Sequence, residues 1–296
     1  MSVHVPAPRL VSPRRHANDP NAVRYPRASA GGVLANVALV LVGIAFLLPL
    51  LWLLLASVDA HAGWAIRLPN LTTSNYSQAV AHGGWRPLLN SFYLASVASI
   101  VATFLALLAG YPLSRRHVPG KRLFMLGILF LSGLPVTMML VPVYQLYVKL
   151  NWLNSIFTMG LFLAATALPF AIWLVKNFVD AIPLEFEEAA AIEGAGTIRT
   201  MVSVVLPLSL PGLAVTLIYT FIAAWGAFVV PLVLDQNPGQ QMGTVALYQF
   251  LGSHGLIQFG PLAAFSILFS IPVVILYLLV SRSLSGAFTF GGGVRG

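Results

Sequence analysis

The sequence has no cysteine and very little charge. None of its 296 residues is Cys, and Asp, Glu, Lys and Arg together make up only 8% of them. The absence of Cys excludes disulfide bonds, thiolate metal ligands and thiol chemistry. Soluble domains carry about 25% charged residues, so the shortage of charge, with a mean hydropathy of +0.86, excludes an ordinary soluble protein. The composition indicates an integral membrane protein.

The sequence also lacks the usual motifs for binding ATP and for coupling transport to ions. No G-x-x-x-x-G-K-[ST] motif occurs, because Gly120-Lys121-Arg122 has neither the preceding Gly nor the following hydroxyl. Ion-coupled carriers generally need an ionisable group inside the membrane, whereas Asp59 and Asp235 lie at the ends of apolar runs. The six His are scattered. We predict no enzyme activity, metal site or cofactor in this chain, so that energy for uphill transport would come from another chain.

Six apolar runs are each long enough to cross a lipid bilayer. A hydrocarbon core of about 30 Å needs about 20 helical residues. We therefore predict an all-α integral membrane protein with six transmembrane helices, in which residues 31–296 form the transmembrane domain and residues 87–283 its core. Prolines interrupt most of the runs, and we expect kinks around a pathway, since neighbouring helices can satisfy the freed carbonyls. The runs lie at about 33–56, 88–113, 123–147, 156–178, 208–234 and 261–282.

The basic residues are distributed unevenly between the two sides of the membrane. With the N-terminus inside, thirteen of the sixteen Lys and Arg lie on the inner side, and only Arg67, Arg86 and Lys149 lie outside. The positive-inside rule therefore predicts that both termini and the loop at residues 180–207 face the cytoplasm. Residues 1–30 contain five Arg and five Pro, which predicts a disordered basic cytoplasmic tail. Basic residues placed beside apolar runs point to membrane lipid, not nucleic acid.

The loop at residues 180–207 contains most of the acid in the chain. Asp180 can cap a helix, Pro183 suits a first turn, and acids there complement the helix dipole, which predicts a helix over about 183–193. Small side chains in the same stretch would allow a partner to approach the backbone closely. Five of the eight acids lie in this loop: Asp180, Glu185, Glu187, Glu188 and Glu193.

Two glycines and two prolines are expected to shape the rest of the loop. Gly194 and Gly196 allow the left-handed backbone conformation that ends a helix. Thr197 can then cap a second short helix, which Pro207 and Pro211 are expected to limit or kink. We predict two short helices joined by a flexible corner.

This loop resembles the EAA loop of the inner-membrane permease subunits of ABC importers, and most of all the maltose-permease G-type subunits of the carbohydrate-uptake branch. The resemblance lies in Glu188-Ala189-Ala190, Gly194-Ala195 and Leu206-Pro207 at the family's spacing, although Glu193 stands where Asp is usual. It implies a type I permease fold whose cytoplasmic coupling helix inserts into a cleft of an ATPase subunit. The ATPase contacts that it implies are Glu185, Glu188, Ala189, Ala190, Glu193, Gly194, Ala195, Leu206 and Pro207.

The same resemblance implies a set of partners in the bacterial inner membrane. They are a second homologous permease subunit, two ATPase subunits (or one ATPase as a homodimer) that carry ATP and Mg, and an extracytoplasmic solute-binding protein. By this likeness, the outer loop at residues 235–260 contacts the binding protein through Asn237, Gln240 and Gln241, although a simple solvated loop fits the sequence equally well. Residues 282–296 resemble the family's closing tail, which reaches between the two ATPases.

Neutral polar and aromatic residues within the apolar runs suggest a solute path. Hydroxyls, amides and aromatic faces suit a sugar, which offers hydroxyls at its rim and C–H groups on its face. We predict that Asn90, Tyr144, Tyr219 and Trp225 line this path, although such groups also bond neighbouring helices to one another. The predicted function is import of a carbohydrate or sugar derivative. An ion-coupled secondary transporter, and an ABC importer for an amino acid or phosphate ester, remain alternatives.

Overall fold

The structure is a computed structural model that describes residues 30–64, 69–252 and 257–291. These residues are helical apart from connecting segments and one isolated bridge between Asp59 and Leu71. Eleven α-helices occur in the described ranges. They are α1 Ala30–Ser57, α2 Ser74–Gly83, α3 Arg86–Arg115, α4 Lys121–Ser132, α5 Val136–Leu150, α6 Ile156–Asp180, α7 Glu185–Ile192, α8 Thr197–Trp225, α9 Val229–Leu234, α10 Gly243–Gln249 and α11 Phe259–Gly291.

The helices confirm the prediction of an all-α membrane protein. Among the described residues, α1, α3, α6, α8 and α11 are each long and apolar enough to cross a membrane. The predicted span at 123–147 consists of two helices, because α4 and α5 meet at a bend of 87°. Pro135, which has an extended backbone at ψ 124°, starts α5 and prevents the helix from continuing. Counting this bent pair as one span gives six.

By its contacts the chain divides into two units, residues 1–50 and residues 51–296. In the first unit, every described side chain from residue 32 to residue 50 is exposed, and most of them are apolar. The predicted cytoplasmic tail lies outside the described residues, apart from Ala30. Its boundary with the transmembrane domain therefore stays a prediction, and so does the core at 87–283.

Within the second unit, helices α3, α6 and α8 pack closely at small residues. A Cβ atom added to Gly160 would lie 2.7 Å from Cγ1 of Val97, and one added to Gly110 would lie 3.1 Å from the backbone nitrogen of Lys176. Helix α3 buries a row of alanines at helical spacing against its neighbours. Small residues of this kind let membrane helices approach each other closely. The buried alanines are Ala95, Ala98, Ala102 and Ala106.

Helix α8 differs from the span predicted at 208–234. It begins at Thr197 and continues to Trp225, so Pro207 and Pro211 do not end it. Residues Met201–Val205 form a π-helical turn in which the amide of Leu206 donates to the carbonyl of Met201. This wider turn lies just before Pro207. It allows the helix to continue although Pro207 has no backbone amide to donate.

Candidate functional site

Helix α7 forms the centre of the acidic loop, and it ends at Gly194. Gly194 has a φ of +83°, which is the left-handed conformation that the sequence predicted for it. The amide of Ala195 donates to the carbonyl of Ala190 at 2.9 Å, and the amide of Gly194 donates to that of Ala191 at 3.0 Å. These two bonds form a Schellman motif, which satisfies carbonyls at the end of the helix. The helix predicted over 183–193 is observed at Glu185–Ile192.

Three details of the predicted loop are wrong. Asp180 does not cap α7, because it is the last residue of α6 and its carboxylate accepts hydrogen bonds from Ser114 and Lys176. Gly196 has an ordinary φ of −73°, since Gly194 alone makes the left-handed turn. Thr197 makes no cap, because Gly196 holds the N-cap position and Thr197 is already helical.

The predicted ATPase contacts form an open surface. Five of the nine are exposed on or beside α7, Pro207 is exposed on α8, and Ala190, Ala195 and Leu206 are half-buried. Large apolar side chains lie exposed among them, with Ile192 at 88% and Ile198 at 77% exposure. Exposed apolar groups rimmed by acids are typical of a protein interface. The five exposed contacts are Glu185, Glu188, Ala189, Glu193 and Gly194.

An ion pair between Glu187 and Arg115 holds the side of α7 that faces α3. The sequence pattern did not distinguish Glu187 from the neighbouring acids. The Oε1 atom of Glu187 accepts a hydrogen bond from Nε of Arg115 at 2.5 Å, and its Oε2 atom accepts one from the Tyr111 hydroxyl at 3.0 Å. Arg115 also donates to the carbonyl of Ile182 at 2.9 Å. The sequence did contain one indication of this pair. Arg115 and Glu187 carry opposite charges, and each lies next to an apolar run that is predicted to end on the same side of the membrane.

The three predicted binding-protein contacts lie together in one turn of the segment between α9 and α10. Asn237 is exposed, and its Oδ1 atom accepts from the amide of Gly239 at 2.9 Å. Gln240 and Gln241 are half-buried, and Oε1 of Gln241 accepts from Nε2 of Gln249 at 2.8 Å. Asn237 therefore offers the most accessible polar side chain of the three.

Asp235 precedes this turn and is partly buried. Burial raises the pKa of its carboxyl above the ordinary value, although the backbone amide of Asn237 acts in the opposite direction. Its Oδ2 atom is buried without a hydrogen-bond partner among the described residues. The raised pKa makes the charged form of Asp235 less favourable in the fold than in water.

A cavity of about 660 Å³ lies beside the bend between α4 and α5, and α6, α8 and α9 complete its wall. Most of the residues that line it are apolar, but Thr137, Thr166 and Thr220 are also part of the lining. Tyr219 also lines it, and its ring packs against that of Phe170 with centroids 4.6 Å apart. One of the four predicted path residues therefore borders this cavity.

The other three predicted path residues lie elsewhere. Nδ2 of Asn90 donates to the carbonyl of Gln241 at 3.2 Å, and the Tyr144 hydroxyl accepts from Nε2 of Gln236 at 3.1 Å. Both therefore fasten the segment between α9 and α10. Trp225 is buried, and its ring stacks on that of Phe269 with centroids 4.7 Å apart.

Comparison with known proteins agrees with this arrangement. Residues 102–286 match the family described as "Binding-protein-dependent transport system inner membrane component". The trehalose/maltose transport system permease protein MalG of Thermococcus litoralis is 28% identical, over 88% of this chain and 95% of its own. The diacetylchitobiose uptake system permease protein DasC of Streptomyces coelicolor is 28% identical, over 91% of this chain and 99% of its own.

A solved structure shows the same fold. It is a chain of a bacterial ABC transporter involved in the import of the acidic polysaccharide alginate, with a TM-score of 0.74 and 22% identity, and the match covers 87% of this chain and 99% of that one. The family match and the two relatives confirm the resemblance inferred from the acidic loop, and with it the localisation in the inner membrane. The chain belongs to the family of binding-protein-dependent transport system inner membrane components.

Proposed function

We propose that this chain is a permease subunit of an ABC importer that takes up a carbohydrate or sugar derivative delivered by an extracytoplasmic binding protein. The observation that carries the proposal is α7, a short helix that presents acids, small residues and large apolar side chains on an open surface beside a membrane bundle. A surface of this kind needs a partner. The resemblance of this loop to the EAA loop implies that the partner is an ATPase subunit.

The arrangement of α7 and α8 supports coupling to ATPases that lie on the cytoplasmic side. Two ATPase subunits would hold ATP and Mg, and a second homologous permease would complete the membrane pathway. Only Gly194, Ala195 and Gly196 follow the C-cap of α7 before α8 begins, so a push on α7 reaches a spanning helix through a short link. Closure of the ATPases would thereby switch the bundle between two states.

The assignment of a sugar as solute is supported by the cavity and by the relatives. Thr137, Thr166, Thr220, Tyr219 and Phe170 all belong to its lining, and a sugar offers both hydroxyls and C–H faces to hydroxyl-bearing and aromatic side chains. The relatives described above carry names that state trehalose, maltose and diacetylchitobiose as solutes. The outer turn at Asn237 would meet the binding protein.

Reconstitution into liposomes tests this function. The tagged chain is purified with the ATPase, the sister permease and the binding protein that neighbouring genes encode, and uptake of labelled maltose, trehalose and diacetylchitobiose is measured. We expect uptake of at least one sugar to require both enclosed ATP and external binding protein, and to cease with a non-hydrolysable ATP analogue.

Two results would contradict the proposal. Uptake that proceeds without the ATPases and collapses with the proton gradient would identify an ion-coupled secondary transporter. ATP-dependent uptake of an amino acid or a phosphate ester, with no sugar transported, would identify an importer of another solute class.

A further inference from the structure

We infer that Glu187 and Arg115 are the pair through which the motion of α7 reaches the membrane bundle. This inference rests on the proposed function and assigns to Glu187 a role different from that of the neighbouring acids. Glu187 would be a positioning residue that ties α7 to the inner end of α3, while Glu185 and Glu188 face the ATPase. Of the acids in α7, only Glu187 makes a side-chain hydrogen bond to another described residue.

The first observation is that the pair is enclosed and bonded on several sides. The side chains of Arg115 and Glu187 are only 13% and 10% exposed. Both carboxylate oxygens of Glu187 accept hydrogen bonds, one from Arg115 and one from Tyr111. Charge-assisted hydrogen bonds are the stronger kind, and burial protects them from screening by salt. Arg115 therefore holds α7 in one orientation and at one distance from α3.

The second observation is that α7 has little else to hold it. No residue of α7 is buried, so the helix lacks the apolar face that fastens most helices to a protein. The guanidinium of Arg115 bonds both Glu187 and the carbonyl of Ile182, and so it grips the helix and the chain that leads into it. A load on α7 therefore passes through this grip, through the chain ends, or through the first turns of α8, against which α7 also packs.

The third observation is that α3 is rigidly joined to the rest of the bundle. Close to Arg115, a Cβ atom at Gly110 would lie 3.1 Å from the backbone nitrogen of Lys176 in α6, so the two backbones are in near contact. Ser114 also donates to the carboxylate of Asp180 at the end of α6, at 2.5 Å. A displacement of α7 transmitted to Arg115 would therefore move α3 and α6 together. Glu187 and Arg115 would complement the covalent link from α7 to α8.

The test uses the complete transporter in liposomes, with Glu187→Gln compared to Glu188→Gln. The amide of Gln is nearly isosteric with the carboxylate but removes its charge. We expect Glu187→Gln to retain both ATPases and to hydrolyse ATP, yet to move at least about fivefold less solute per ATP, since site-to-site couplings span about 5- to 150-fold. Glu188→Gln is expected instead to lower the amount of ATPase that copurifies with the complex.

A double-mutant cycle separates coupling from a purely structural role. Arg115→Gln is expected to reproduce the fall in solute per ATP, and adding Glu187→Gln to it is expected to lower the ratio little further, because the bond between the two side chains is already lost. Loss of the ATPases in Glu187→Gln, or uptake and hydrolysis that fall in equal proportion, would overturn the inference. ATP-independent uptake by the unaltered transporter would instead overturn the proposed function.

Discussion

Replacing Gly194 with Val is expected to abolish transport while the protein still inserts into the membrane. Gly194 has a φ of +83°, where a β-branched side chain is strongly disfavoured. Such strain costs about 1–3 kcal/mol, which corresponds to about a 5- to 150-fold loss of the closed Schellman turn. Without that turn, α7 loses its fixed angle to α8. Solute uptake and copurification of the ATPases measure the effect.

The matched control is Gly196→Val. A Cβ atom at either Gly194 or Gly196 would meet no atom within 4 Å, so neither variant introduces a clash. Gly196 has a φ of −73° and a ψ of 165°, which is extended backbone that Val tolerates. Transport should survive in Gly196→Val. Equal loss of transport in both variants would show that the left-handed turn at Gly194 is not what the loop requires.

Replacing Gly212 with Ala is expected to destabilise the bundle where α8 crosses α6. A Cβ atom at Gly212 would lie 2.2 Å from Cγ and 2.6 Å from Cβ of Phe178, so the two helices or the Phe178 ring must move. Overpacking of this kind typically costs about 1–3 kcal/mol. A lower midpoint of thermal unfolding in detergent, together with reduced uptake, would report it.

Two further variants make this prediction specific. Gly127 lies within α4, and a Cβ atom there would meet nothing within 4 Å, so Gly127→Ala should leave the midpoint unchanged or raise it. Combining Gly212→Ala with Phe178→Ala should lower the midpoint by less than the sum of the two single changes, because Phe178→Ala removes the Cγ and ring atoms that the new methyl group meets. If Gly212→Ala unfolded at the same temperature as the unaltered protein, the close crossing of α6 and α8 would be wrong.

Much of the fold could be predicted because the bilayer imposes it. A spanning segment must satisfy its own backbone hydrogen bonds, so long apolar runs had to be helices, and α1, α3, α6 and α11 lie close to the predicted runs. The sequence alone could not show that the helix breaks at Pro135 whereas α8 continues through Pro207. Proline separates α4 from α5 at Pro135, whereas at Pro207 a π turn allows α8 to continue.

The candidate site was predictable in composition but not in orientation. Acids and glycines located α7 and its left-handed end at Gly194, because those requirements are local. Which of the adjacent acids Glu187 and Glu188 turns inward depends on the phase of α7 relative to Arg115, and that phase is set by tertiary packing. The roles of Asn90 and Tyr144 were equally open, since a polar group in a span can meet a solute or fasten a loop.

The most direct measurement of the central claim is the accessibility of α7 from each side of the membrane. The chain has no native Cys, so Ile192→Cys provides a single thiol at a position that is 88% exposed. Leu71→Cys lies at a position that is 80% exposed and that the predicted orientation places outside, and it serves as the control for the opposite side. The reagent is a membrane-impermeant maleimide, applied to intact spheroplasts and to inside-out vesicles.

We expect Ile192→Cys to react only in inside-out vesicles stripped of the ATPases, and to be protected when the ATPases are bound. Leu71→Cys should react only in spheroplasts. Labelling of Ile192→Cys in intact spheroplasts, or labelling that bound ATPases leave unchanged, would contradict the account.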